Sequence, residues 1–593
     1  MDFSSFSAFT SRRDSNYVAT DSESLEIQTF LKLPISRLEE LSTQLQELDD
    51  QSMQLRNEQS SLLLFISTHR APISPIRKLP IDILQEIFIA CLPTAHNAVM
   101  SRWEPPILLT QVCSSWRNIA LATPQLWKSI HIAVPCNKQR NSGADTIIPS
   151  TQLELIINRR AEAVLEWLLR SAACPLDISV GQLDSLAAAS TLYAGGFDKI
   201  IDYLVRFSER WRDVRFAAPY QALATVATLP PSKVPLLETL FLNCLVERPY
   251  VQYDNQGEQY DDQRDHRFIW MTSEVMKAPK LRGLYLHGVW LHLQELGKYP
   301  EGVAQFPINW SQLTNISIIH GSSGGRGLFC LNIRRAYTLL SFCPNLITCR
   351  LEIGMRVYSE IGADEEPPLE TNSALVSLPF LTNFQILENS RLSRLFTLLH
   401  LPSLNSIEFR TNIRPTPQST GSLPSLLSKF HNTTKLITDS RFFKREDFLE
   451  CLRLCPLLKS LSIRKPTLYH DFFPGSRGGF EVDDAFLKLF IESSNDEGYL
   501  CPHLEDFEIS SGTAFSETTL LQFVKEKNGG SNTTGLAKLK HLSVVLYRRR
   551  LMDINQELKP YEQAGLVATI TYPLTASYSA FNGLRLTGYF TPY

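Results

Sequence analysis

Ten times between residues 211 and 544, an apolar residue is followed by two variable positions, a second apolar residue, one variable position and a third apolar residue. The copies are Trp211/Val214/Phe216, Leu237/Leu240/Leu242, Leu281/Leu284/Leu286, Leu313/Ile316/Ile318 and Leu346/Cys349/Leu351. They continue as Leu381/Phe384/Ile386, Leu404/Ile407/Phe409, Leu458/Leu461/Ile463, Leu504/Phe507/Ile509 and Leu539/Leu542/Val544. The last two apolar positions of each copy lie two apart, the period of a strand with one buried face. A short phrase ending in proline precedes many copies: Ala278-Pro279, Cys343-Pro344, Leu378-Pro379, Leu401-Pro402, Cys455-Pro456 and Cys501-Pro502. One such unit cannot cover its own apolar face, so the array is stable only as a stack.

The unit resembles the leucine-rich repeat, which implies one strand and one return helix per copy. Successive copies lie 23 to 54 residues apart, and the Asn that usually follows the motif is mostly missing. The expectation is an irregular α/β solenoid over residues 145–593. It opens with a helix over 151–173, a strand at Leu176, Ile178 and Val180, and a further helix within 182–209. The tail from Gly565, alternating at Leu566, Ala568 and Ile570, is expected to cap the stack.

Residues 73–134 have a different pattern. Leu79-Pro80 precedes Ile83, Leu84, Ile87, Phe88, Cys91 and Leu92, a spacing that covers one wide face of a helix. Pro80 suits the first turn and Asp82 the positive end of the helix dipole. After Pro105-Pro106, a second helical face carries Leu108, Val112, Trp116 and Ile119. Leu126-Trp127 and an alternating strand, Ile130, Ile132 and Val134, complete the segment. A module this small has a marginal core and an apolar surplus, so it needs a partner.

Leu79-Pro80, Ile83-Leu84, Ile87-Phe88, Val112-Cys113, Trp116-Arg117 and Leu126-Trp127 resemble the F-box pattern, and the run from Gln111 to Ile130 is similar to F-box proteins of mushroom-forming fungi. Residues 93–104 are longer than the short acidic linker common in that family. The resemblance implies a small helical module that binds a Skp-type adaptor subunit and through it a cullin-RING ubiquitin ligase. The repeats would then select a target protein. The implied Skp-binding residues are Leu79, Pro80, Ile83, Leu84, Ile87, Phe88, Val112, Trp116, Leu126 and Trp127, some of which must instead serve the module's own core.

Upstream, residues 1–30 are rich in Ser, Thr and Asp without a period and are expected to be mobile. Residues 31–70 carry a heptad seam through Leu38, Leu41, Leu45, Leu48, Ser52, Leu55, Gln59, Leu62 and Ile66. A coiled-coil helix there would join two copies, bind a partner, or fold back on residues 73–134. A net charge of −3 gives no basic footprint for nucleic acid, and no apolar run approaches a membrane span. The first residues lack the apolar core of a secretory signal, and the eleven cysteines show no dense framework. Cytoplasmic or nuclear residence with reduced thiols is therefore expected.

No catalytic constellation emerges. Cys451 and Cys455 share a helical face, but the chain has no CxxC pair and no HExxH, so they read as packed thiols. The glycine loops at 321–327 and 475–479 lack the order of a phosphate cradle, and His266, His287 and His470 have no partner that suggests a triad. No cofactor and no metal is expected. Three inserts, at residues 249–265, 355–372 and 466–495, are candidate recognition loops. The reading is a non-catalytic ubiquitin-ligase adaptor, with a Skp-bound scaffold that never meets a cullin as the alternative.

Overall fold

Each proline phrase closes a turn. The carbonyl of the residue before proline accepts the N–H of the first apolar residue of the next unit, three positions on. Leu281 donates to Ala278 at 3.2 Å, Leu381 to Leu378 at 3.3 Å, Leu458 to Cys455 at 3.1 Å and Leu504 to Cys501 at 3.1 Å. Proline fits the second position of such a turn because its φ is already set. The chain then enters a strand beside its predecessor, and one carbonyl ahead of many strands holds two N–H groups of the following unit. Ile347 O accepts from Thr382 at 3.0 Å and Asn383 at 3.2 Å, and Asn405 O accepts from Thr434 at 2.8 Å and Lys435 at 3.0 Å.

The computed structural model describes residues 18–70, 75–135, 138–141, 144–147, 150–182, 194–244, 273–287, 308–319, 331–354, 373–411, 422–439, 443–464, 480–492, 498–510, 514–529, 535–546 and 552–572. The chain divides into two compact units, residues 1–84 and 85–593. In the first, helix α1 (Asp21–Arg70) runs for 50 residues, about 75 Å at 1.5 Å per residue. It starts ten residues before the boundary expected at residue 31. The cause is a capping pair at its head: Glu23 accepts hydrogen bonds from Thr20 N at 2.9 Å and Thr20 Oγ1 at 2.8 Å. Residues 1–17 lie outside the described residues. The seam leucines Leu38, Leu41, Leu45, Leu48, Leu55 and Leu62 are exposed.

In the second unit, fourteen described strands form one sheet in strict chain order, every pair parallel. They run from Ser129–Val134, Leu176–Gln182 and Trp211–Ala218 to His541–Val545 and Val567–Thr571. Strands added without reversal require every connection to return over the same face. The return helices accordingly touch their neighbours, as Ser150–Arg170 touches Ala194–Val205 and that helix touches Tyr220–Ala227. Apolar residues fill the space between: Leu284, Ile316, Cys349, Phe384, Ile407, Leu436, Leu461, Phe507 and Leu542 stand in one register row, all buried. Each such burial contributes about 1.5–3 kcal/mol. The described residues thus form a solenoid-like α/β stack of the leucine-rich-repeat kind. No helix among them is long and apolar enough to cross a membrane.

Four expectations change. The longest interval, between Leu404 and Leu458, holds a further strand, Lys435–Thr438. Its unit reads Thr433/Leu436/Thr438, and threonine at two of three apolar positions hid it. Buried Thr433 still makes the usual turn, its N–H donating to Phe430 O at 3.2 Å. The strand Ser129–Val134, grouped with the helical segment in the sequence, is the first strand of the sheet. Short 3₁₀ turns stand beside the one return helix expected per unit, as Pro231–Lys233 follows helix Tyr220–Ala227. Finally, residues 480–492 of the third insert are core: Phe486 and Phe490 are fully buried in a chain of rings from Phe443 to Phe523. The first two inserts, residues 466–479 and residues 573–593 lie outside the described residues.

Among the thiols, Cys451 and Cys455 are buried, and burial pushes Cys451 well up and Cys455 up to about 12. Gly354 ends its strand at φ +98°, and a Cβ there would meet Ser390 N at 2.4 Å, so glycine alone fits.

Candidate functional site

The helical segment places its apolar residues in two classes. Helix α2 (Ile81–Ala90) starts where Pro80 O accepts the N–H of Leu84 at 3.1 Å. Helix α3 (Ser114–Leu121) starts at Cys113, whose Sγ accepts the N–H of Trp116 at 3.4 Å. The cysteine of the Val-Cys pair is therefore a helix cap, and it leaves Val112 facing out. Phe88, fully buried, packs on half-buried Trp116 with ring centroids 4.8 Å apart. Trp127 closes the core. Its Nε1–H donates to Ala120 O at 2.9 Å, its ring meets Trp167 edge-on at 4.8 Å, and the Arg170 guanidinium lies 4.8 Å from the ring centre.

Of the ten implied docking residues, Leu84, Phe88, Leu126 and Trp127 have at most 6% of their surface exposed. They lie in the core, the place that the sequence reading left open for some of the ten. Ile83 (45%), Ile87 (37%) and Val112 (56%) are exposed, as is Pro80, while Leu79 and Trp116 are half-buried. Leu108 and Leu121 are also exposed and were missed as docking candidates, although Leu108 lay on the apolar face read from sequence. The long segment 93–104 has a structural use. Val99 bridges to His131 on the first strand, Ala98 O accepts the N–H of His131 at 2.7 Å, and Asn97 Nδ2 donates to Ser179 Oγ at 3.2 Å. The segment thus covers the edge of the sheet, which an unpaired strand would otherwise expose.

A second site lies on the sheet face opposite the apolar row. The variable residue between the last two apolar positions of each unit points there. Arg215, Phe241, Tyr285, Ser317, Arg350, Gln385 and Glu408 follow one another in register across seven strands, about 29 Å at 4.8 Å per strand. A pocket of about 90 Å³ opens in this row, lined by Arg215, Phe241, Tyr285, His287, Ser317 and Arg350 among others. Most charges nearby are paired. Arg215 Nε donates to Asp213 at 2.7 Å, Arg410 contacts Glu408 at 2.7 Å, and Arg464 grips Glu508 through two bonds of 2.9 and 2.7 Å. Arg350 makes no hydrogen bond to the described residues, and burial pulls its pKa down.

His287, whose ring packs edge-on against Phe241 at 4.7 Å, shares a 2.7 Å hydrogen bond between Nε2 and Ser317 Oγ. Burial, and then the charge of Arg350, holds its imidazole well below the usual histidine range. It is therefore neutral when folded but takes a proton when unfolded below about pH 6.5. Its contribution to stability is full above that value and is lost as pH falls through it. Acidification from pH 7 to 5.5 should cost roughly 1 kcal/mol through this group. Thermal melts should show a smaller acid-induced drop in His287→Asn than in wild type; equal drops would contradict the assignment.

No protein-family model matches the chain, and no curated protein does. Among solved structures, a chain of the yeast Rad7 and Elc1 complex is similar at 13% identity, over 66% of this chain and 88% of that one, with a TM-score of 0.30. A chain of the TLR13–ssRNA13 complex is similar at 11% identity, over 60% of this chain and 51% of that one, with a TM-score of 0.21.

Proposed function

We propose that the chain is a non-catalytic F-box adaptor: its helical module docks a Skp-type subunit, and its repeats hold a target protein for ubiquitin transfer by a cullin-RING ligase. The observation that carries this reading is a module whose core is already complete in Phe88, Trp116 and Trp127 but which still exposes Ile87 and Val112. Large apolar side chains left over after a core closes suit a protein interface. The adaptor's contribution is proximity, since tethering makes attack of a target lysine on carried ubiquitin effectively intramolecular. The work belongs in the cytoplasm or nucleus. Affinity purification tests it. A Skp-type subunit with a cullin and a RING subunit supports the reading, a Skp-type subunit without them supports the scaffold alternative, and none of the three refutes both.

Helix α1 would join two such adaptors along its exposed seam. In parallel register, Ser52 meets Ser52 and Gln59 meets Gln59 of the second copy, so polar faces polar. Light scattering should give about twice the chain mass for the full protein and the single-chain mass after deletion of residues 31–70. A full chain of single mass would refute the pairing.

A further inference from the structure

We propose that Arg350 and the pocket around it seat one carboxylate carried by the target protein. This rests on the adaptor reading and names the chemistry by which its repeats choose a target. Within the row from Arg215 to Glu408, the neighbouring guanidinium and carboxylate groups already hold one another, and the guanidinium of Arg350 is left over. Two carboxylates act on it at a distance, but both are committed elsewhere: Glu408 to Arg410 at 2.7 Å, and Glu352 to Asn389 Nδ2 at 3.0 Å. A part-buried guanidinium without a hydrogen-bonded anion is costly, and a carboxylate matches its planar fork in two parallel bonds.

The walls complete the seat. Ser317, with 1% of its surface exposed, holds the His287 ring at 2.7 Å and so fixes one side of the pocket. Half-buried Tyr285, backed by buried Phe241, supplies an apolar wall for the carbon that bears the carboxylate. About 90 Å³ admits one small group, and the acids Asp213, Glu352 and Glu408 around it disfavour a doubly charged phosphate. The row crosses seven strands, so an extended segment laid along it would place its acidic residue, or its chain terminus, at Arg350.

An array of degenerate pentapeptides probed with the full chain tests this. Four sets are matched: central Glu with amidated ends, central Gln with amidated ends, central Gln with a free C-terminal carboxylate, and central phosphoserine with amidated ends. Wild type should favour the Glu set or the free-carboxylate set over amidated Gln by roughly tenfold, the first pointing to an acidic side chain and the second to a chain terminus. Arg350→Gln should abolish the preference, and Arg350→Lys should keep part of it. The wild-type preference stands by itself if Arg350→Gln fails to fold. Equal binding of all sets, binding of none, strongest binding of phosphoserine, or an unchanged preference in folded Arg350→Gln overturns the proposal. Skp capture by the same preparation separates the two readings: capture without a carboxylate preference sinks the pocket alone, and the preference without capture sinks the adaptor alone.

Discussion

Replacing Ile87 and Val112 together by alanine should cost about a thousandfold in affinity for a Skp-type subunit while leaving the melting temperature of the chain unchanged. Exposed apolar side chains at the centre of an interface typically cost about 2 kcal/mol each on truncation, and the two together reach about 4 kcal/mol. The chain should tolerate the change because neither residue supports its own core: Ile87 is 37% exposed and Val112 56%. The neighbouring Phe88→Ala makes the informative contrast. Phe88 has no exposed surface and packs on Trp116, so its truncation should lower stability and capture together. Surface plasmon resonance beside thermal melts separates the cases. A double variant that binds within a few-fold of wild type would remove these residues from the interface.

Trp127→Ala should destabilise the unit containing residues 85–593 by about 3–5 kcal/mol. The indole is buried, donates a hydrogen bond to Ala120 O, stacks edge-on with Trp167 and lies beneath Arg170. It also stands just before the first strand of the sheet, so it couples the helical segment to the stack and the loss should spread into both. Trp127→Phe should recover most of the aliphatic and ring contact but not the hydrogen bond, leaving a deficit of about 1 kcal/mol. A Trp127→Ala protein within about 1 kcal/mol of wild type by denaturant unfolding would show that the segment and the sheet are not joined through this residue.

The stack was legible in the sequence because each unit is a local statement: a proline turn, then apolar residues at fixed offsets. The strand at Lys435–Thr438 was not, since buried threonines mimic a loop when only hydropathy is read. Residues 480–492 read as an insert in the sequence because the glycine-rich stretch before them obscures the phenylalanines that complete the core. In the helical segment, sequence marked the apolar residues but could not divide them. Ile87 and Phe88 are equally apolar neighbours, and only the position of Trp116 decides which one is covered. Arg350 was invisible for a related reason. Its place beside Ser317 and Gln385 depends on register between strands separated by unequal returns, and no spacing along the chain encodes that.

The adaptor proposal stands or falls on docking of a Skp-type subunit to the helical segment. Isothermal titration of the full chain with such a subunit measures it directly. Saturable one-to-one binding is expected, with a Kd below about 1 µM and a negative heat-capacity change from buried apolar surface. Absence of saturable heat at tens of micromolar would contradict it.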